Sequence, residues 1–146
     1  MHIAVLGAGS WGTALAIQLA RAGQDVRLWD RKPERAARLE AERVNSRYLP
    51  DANFPDTLRV GSDLEACVRG SPLVIAVVPS QTVRSVVTHA APYIASDAVV
   101  CCASKGIEQG TLMTMEEVLR DVLEEHLHEK LCFLAGPSFA KEVALG

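Results

Sequence analysis

A short apolar run, His2–Leu6, breaks directly into Gly7-Ala8-Gly9-Ser10-Trp11-Gly12. The segment beyond it, Trp11–Ala22, reads as a helix with Gly23 as its stop. The spacing G-x-G-x-x-G is weak in isolation, but between a strand and a helix it constrains the fold strongly. The first glycine permits a tight turn. The second lets bare backbone approach a pyrophosphate, and the third lets the helix pack closely on the strand. The N–H groups that open the helix lack intrahelical partners, and together with the helix dipole they favour a diphosphate. The competing reading is a glycine-rich turn without a ligand, which leaves the entropic cost of three glycines with no return.

The remainder repeats the alternation of strand and helix. Asp25–Trp29 reads as a second strand, and Pro33 suits the first turn of a helix running to about Val44. Asn45–Thr57, with two prolines, two asparagines and two aspartates, reads as a loop. Leu58–Val60 is a short strand, and Ser62 with Glu65 has the spacing of a capping box opening a helix through Val68. Leu73–Val78 is apolar without alternation, as a strand buried on both faces of a parallel sheet would be. A helix over Gln81–Ala91 and a strand over Ala98–Ala103 follow. Leu112, Met115, Val118, Leu119, Val122 and Leu123 then mark one face of a helix, before a last strand over Leu131–Leu134. Gly136-Pro137-Ser138 turns into a final helix. The pattern predicts an α/β chain: a Rossmann-like, doubly wound, mostly parallel sheet with helices on both faces, residues 1–146 forming one dinucleotide-binding domain. Its ligand crevice belongs at the carboxyl ends of the strands.

Those strand ends carry the chemistry. Asp30, 18 residues after Gly12, stands near the position of an acid that binds the adenosine ribose and favours NAD. Arg31 and Lys32 beside it suit the 2′-phosphate of NADP, unless they are merely solvated loop cations. Pro79-Ser80, Ser104-Lys105-Gly106 and Gly136-Pro137-Ser138 end three further strands and converge on the same crevice edge. A lysine there can polarise a carbonyl or hold a phosphate. On position alone, Lys105 could equally be a surface lysine.

Composition narrows the function. The net charge is −3, with no clustered Lys and Arg of the kind that displaces counterions from nucleic acid. No apolar stretch approaches the roughly 18 residues of a membrane span, and no basic segment precedes the first apolar run, so a cytoplasmic setting is expected. Cys67, Cys101, Cys102 and Cys132 form no C-x-x-C pair and read as reduced, buried small hydrophobes. His126 and His128, near the end of a charged helix, read as solvated side chains, and no metal site is expected.

Taken together, the motifs resemble the bacterial-type NAD(P)-dependent glycerol-3-phosphate dehydrogenases. The resemblance rests on Gly7 through Ala16, Leu28-Trp29, Asn45 through Tyr48-Leu49-Pro50, Val77-Val78-Pro79-Ser80, Ser104-Lys105-Gly106-Ile107-Glu108 and Gly136-Pro137-Ser138-Phe139-Ala140-Lys141-Glu142, in family order along essentially the whole chain. The last two stretches are the most specific. The resemblance implies reversible hydride transfer between NAD or NADP and C2 of sn-glycerol 3-phosphate, giving dihydroxyacetone phosphate for glycerophospholipid synthesis. It implies cofactor contacts at Ser10, Trp11, Arg31 and Ala140, to which Lys32 is a reasonable addition, beside Gly7, Gly9 and Gly12 of the glycine turn, with NADPH slightly favoured. Lys105 would meet both cofactor and substrate as the catalytic lysine of this half, and Gly136 and Ser138 would contact substrate. Tyr48 falls on the adenosine side and is given no role.

Members of that family continue into a largely helical substrate domain that supplies a second lysine, the proton acceptor, and through which they dimerise. Here Ala140–Leu145 reads as a helix cut short, so we expect a piece lacking that domain, monomeric by itself, binding cofactor with little or no turnover. Two alternatives stand beside this reading. One is another Rossmann dehydrogenase, such as a ketopantoate reductase. The other is a non-catalytic dinucleotide sensor that would use the glycine turn without needing Lys105 or Ser138.

Overall fold

The computed structural model describes residues Met1–Gly146. Along the chain the elements are β1 (Ile3–Leu6), α1 (Ser10–Arg21), β2 (Val26–Trp29), α2 (Pro33–Glu42), β3 (Val44–Asn45), β4 (Leu49–Asn53), β5 (Leu58–Gly61), α3 (Leu64–Val68), β6 (Leu73–Ala76), α4 (Ser80–Ala90), β7 (Val99–Cys102), α5 (Met115–Val122), β8 (Leu131–Phe133) and α6 (Ala140–Leu145). Six strands form one sheet in the order β5-β2-β1-β6-β7-β8, and every pairing in it is parallel. This is the doubly wound plan. Strand order reverses between β1 and β6, and that is where such sheets open a crevice.

Alternation along each strand distributes side chains to two faces. Val5, Val26, Leu28 and Ile75 join the cluster formed with α1, α2 and α6, whereas Ala4, Leu6, Trp29 and Val74 join the one formed with α3 and the end of α4. A third cluster places Val83 and Val87 of α4 against Val118 and Leu119 of α5, over Val100 and Cys102. Helix α1 ends as its sequence predicts: Gly23 has φ +84°, its N–H bonds to the Ala20 carbonyl, and the Gln24 N–H reaches the Leu19 carbonyl. That is a Schellman closure, which a residue with a Cβ would strain.

Five expectations require correction. The segment Asn45–Thr57 is not all loop, because β3 and β4 pair as a short antiparallel ribbon with a register shift at Val44/Asn45. Its Pro50 sits exposed on this two-stranded edge, where a missing N–H is harmless, while Leu49 and Ala52 pack into the core beside α1. Helix α2 stops at Glu42, since Arg43 adopts a left-handed conformation (φ +56°) and spans the Pro55 and Leu58 carbonyls with its guanidinium. The cap of α3 is Asp63, which accepts from the Ala66 N–H, and not Ser62.

Leu112 is not on the face of α5. It is 77% exposed with φ +60°, and its N–H turns back to the Glu108 carbonyl. The helix begins after Thr114, which forms a reciprocal capping box with Glu117 and so sets the start three residues later. Cys132 is likewise exposed, on the free edge of the sheet, whereas Cys67 and Cys102 are buried. Burial pushes the Cys67 thiol up to about 12, and burial together with the neighbouring Cys132 does the same for Cys101. No helix is long and apolar enough to cross a membrane.

Candidate functional site

The turn after β1 is squeezed between two strands. The Gly7 N–H donates to the Trp29 carbonyl, and the Val77 N–H donates to the Leu6 carbonyl. Gly7 has φ +123°, and a Cβ there would stand 2.6 Å from the Val77 carbonyl oxygen, so both conformation and space demand glycine. A Cβ on Gly12 would lie 1.9 Å from the Gly7 carbonyl oxygen and 2.8 Å from Val77 Cγ1. Gly9 is different. Its φ of −78° suits any residue, and a Cβ on it would meet no protein atom within 4 Å. The fold therefore does not require a glycine at position 9. As the N-cap of α1 it offers no side chain to the first-turn N–H groups, which lack intrahelical partners.

Asn45, from the ribbon, supports this turn. Its buried side-chain amide donates to the Ala8 carbonyl at 3.2 Å and to Thr13 Oγ1 at 2.9 Å. Sequence reading places Asn45 within a family-like stretch but assigns it no part, because nothing in the local pattern shows that the ribbon folds back over α1.

Above Gly7 and Gly9 lies a cleft of about 660 Å³, within the range of small-ligand sites. One wall is α4, through Thr82, Ser85, Val86 and His89, and another is the segment after β2 with Asp30, Arg31 and Lys32, joined by Arg35 of α2. Tyr48 also lines it, with the Arg47 guanidinium 5.2 Å over its ring. Asp30 corrects the sequence reading. Its side chain is wholly buried, Oδ1 accepts from the Lys32 N–H at 2.9 Å, and Oδ2 is engaged by Arg35 Nε. The acid expected to bind a ribose does border the cleft, but both of its oxygens are already engaged.

Ser10 and Trp11 open α1 but do not line the cleft, and neither does Gly12, which is buried beneath it. Trp11 packs on the core with its indole N–H unpaired.

The second group of predicted residues gathers at the ends of β7 and β8. Lys105 is exposed, and its Nζ donates to the Gly136 carbonyl at 2.8 Å. Gly136 and Ser138 are exposed in the turn after β8, and Ala140 opens α6 half-buried against the α1 cluster. None of these four lines the cleft itself.

The loop bearing Lys105 is held from α4. Gln81 donates to the Ile107 carbonyl at 2.9 Å and accepts from the Gln109 N–H at 2.8 Å. Arg84 makes a two-pronged pair with the carboxylate of Glu108, at 2.9 and 3.0 Å. The Arg84 hydrogen bonds, and then the Thr111 hydroxyl, hold the Glu108 carboxyl below its ordinary value of 4.5. Ser104 donates its hydroxyl to the Val78 carbonyl at 2.6 Å, tying the β7 end to the β6 end. Gln81 and Arg84 leave no mark in the sequence, since each is one polar residue on the exposed side of a helix.

A family model described as the N-terminus of NAD-dependent glycerol-3-phosphate dehydrogenase matches residues 2–146. The chain is similar to the glycerol-3-phosphate dehydrogenase [NAD(P)+] of Geobacter sp. (strain M21), at 46% identity over 98% of this chain and 43% of that protein. The corresponding protein of Anaeromyxobacter dehalogenans is 46% identical over 100% of this chain and 44% of its own length. Among solved structures, glycerol-3-phosphate dehydrogenase from Coxiella burnetii superposes with a TM-score of 0.85 at 41% identity, covering 98% of this chain and 43% of that one. The chain thus spans less than half the length of the relatives it matches.

Proposed function

The chain belongs to the family of NAD-dependent glycerol-3-phosphate dehydrogenase N-termini, and from that premise we propose that it is the dinucleotide-binding half of an enzyme interconverting sn-glycerol 3-phosphate and dihydroxyacetone phosphate. Family membership separates it from the ketopantoate reductases, with which it shares the doubly wound plan. The observation that carries the reading is the 2.8 Å hydrogen bond from Lys105 Nζ to the Gly136 carbonyl, since it joins two motifs that lie far apart in the sequence. A sensor module has no use for that pairing.

The roles follow from the chemistry of each group. The backbone at Gly7 and Gly9, with the first turn of α1 from Ser10, Trp11 and Gly12, holds the pyrophosphate. The bare backbone at Gly9 supports this, because the chain itself leaves that space open. Arg31 and Lys32 flank the adenosine end and favour NADPH over NADH, while Ala140 closes the nicotinamide side. The nicotinamide, when bound, supplies the hydride chemistry. Lys105 stabilises the negative charge that develops on the substrate's C2 oxygen, and Gly136 and Ser138 orient the substrate beside it. Residues 1–146 are the cofactor domain. The proton acceptor and the grip on the substrate phosphate come from a helical domain outside this chain, as does the dimer contact.

The chain alone is therefore expected to bind NAD(P)H and turn over little or not at all. Calorimetric titration with NADH and NADPH, beside an assay of dihydroxyacetone phosphate reduction, tests this. Binding of either nucleotide that is lost in Gly9→Ala supports the reading. Unchanged binding in that variant, or specific turnover by the chain alone, defeats it.

A further inference from the structure

We propose that Arg35 sets the cofactor preference of this cleft, by silencing Asp30 and by adding a third cation to the pocket for a 2′-phosphate. The inference rests on the dinucleotide reading above. An acid just past the second strand of a doubly wound sheet ordinarily disfavours a 2′-phosphate in two ways: it binds the free ribose hydroxyls, and it repels the phosphate. Asp30 stands in that place and can do neither in the present arrangement. One carboxylate oxygen takes the Lys32 N–H, closing a turn two residues on, and the other is taken by Arg35 Nε. The side chain has no exposed surface, whereas that of Arg35 is 27% exposed.

The local sequence explains the arrangement. Pro33 starts α2 immediately after Lys32, so Arg35 falls in its first turn, directly over the β2 end. The Asp30 carboxylate consequently lies at the positive end of α2, where an anion is stabilised. An acid in that setting is satisfied by the fold and has little tendency to swing out toward a sugar. Arg35 spends only its Nε–H on Asp30. Its four other N–H donors are uncommitted to any other side chain, and the residue lines the cleft with Arg31 and Lys32. Three cations thus border the adenosine end, and the one acid there has both oxygens engaged. A guanidinium anchored through one edge is well prepared to receive a phosphate on the other, because less freedom is lost on binding.

The test is parallel calorimetric titration of the chain with NADPH and NADH, in the unaltered sequence, in Arg35→Ala and in the double variant Asp30→Ala/Arg35→Ala, with thermal melts of each. The unaltered chain is expected to prefer NADPH. In Arg35→Ala, loss of a charge-assisted contact and release of Asp30 should weaken NADPH by about tenfold or more, while NADH is unchanged or improved. The double variant removes the freed acid. It should recover part of the NADPH affinity and lose any gain for NADH, and it remains informative if the unpaired Asp30 destabilises the single variant. A NADPH-to-NADH ratio unaltered in both variants, with binding retained, overturns the role of Arg35 and leaves the dinucleotide reading standing. If the unaltered chain takes neither nucleotide, both fall together.

Discussion

The carbonyl oxygen of Gly7 occupies the space beside Gly12 so closely that a Cβ on Gly12 would stand 1.9 Å away from it. That contact locks the first turn of α1 against the end of β1. Alanine is the better helix former by about 1 kcal/mol, but a clash with rigid backbone outweighs that gain. Gly12→Ala is expected to destabilise the chain by about 3 kcal/mol, read as a fall in the urea midpoint at unchanged slope. A midpoint within error of the unaltered chain would show that β1 and α1 can separate freely.

Gly9→Ala is the informative contrast. Its Cβ meets no protein atom, and φ of −78° carries no strain, so stability should move by no more than about 0.5 kcal/mol. Nucleotide binding should nevertheless fall steeply, because on the proposed reading the methyl group would meet the pyrophosphate. A stable variant with full affinity would remove the turn from the binding site.

Asn45→Ala tests the brace beneath that turn. The Ala8 carbonyl and the Thr13 hydroxyl each lose a buried donor, which costs about 1–3 kcal/mol. The turn should also loosen, so affinity for NAD(P)H is expected to drop along with the melting temperature. If stability falls and affinity does not, Asn45 serves only the ribbon.

The pairing of Arg84 with Glu108 predicts an acid-sensitive loop. The folded pKa of Glu108 lies below its ordinary value of 4.5. A carboxyl depressed on folding contributes stability above its unfolded pKa, and that contribution is lost as pH falls through the folded value. The unaltered chain should therefore lose stability below about pH 4.5 more steeply than Glu108→Gln does. Parallel acid-denaturation curves for the two would refute it. Because the same pair holds the Lys105 loop, Arg84→Ala should raise hydrogen exchange in residues 105–113 ahead of the sheet.

Lys105→Ala addresses chemistry in the full-length protein. The side chain is exposed and makes one hydrogen bond to a carbonyl, so its loss should change stability by at most about 0.5 kcal/mol. Turnover is expected to fall by about 10²–10³, the scale of losing one preorganised donor to a developing oxyanion. A loss of less than about threefold would return Lys105 to the surface.

The architecture was legible in the amino-acid sequence because its signals are local. Unbroken apolar runs such as Leu73–Val78 admit few structures besides a strand covered on both faces. Gly7 and Gly12 mark a turn so tight that its steric demand is written in residue type alone, and Pro33 and Gly23 punctuate their helices by conformation. What only the tertiary structure decided are the pairings between distant segments. The prolines and asparagines of Asn45–Thr57 look like loop in isolation, and they form a ribbon because Asn45 reaches the Ala8 carbonyl and Leu49 finds the core beside α1. Asp30 looks like a free acid until α2 brings Arg35 over it. Arg84 looks like surface until the Lys105 loop delivers Glu108. In each case the side chain's chemistry is intrinsic, but its role depends on which partner the fold carries within hydrogen-bonding distance, and local periodicity holds no record of that.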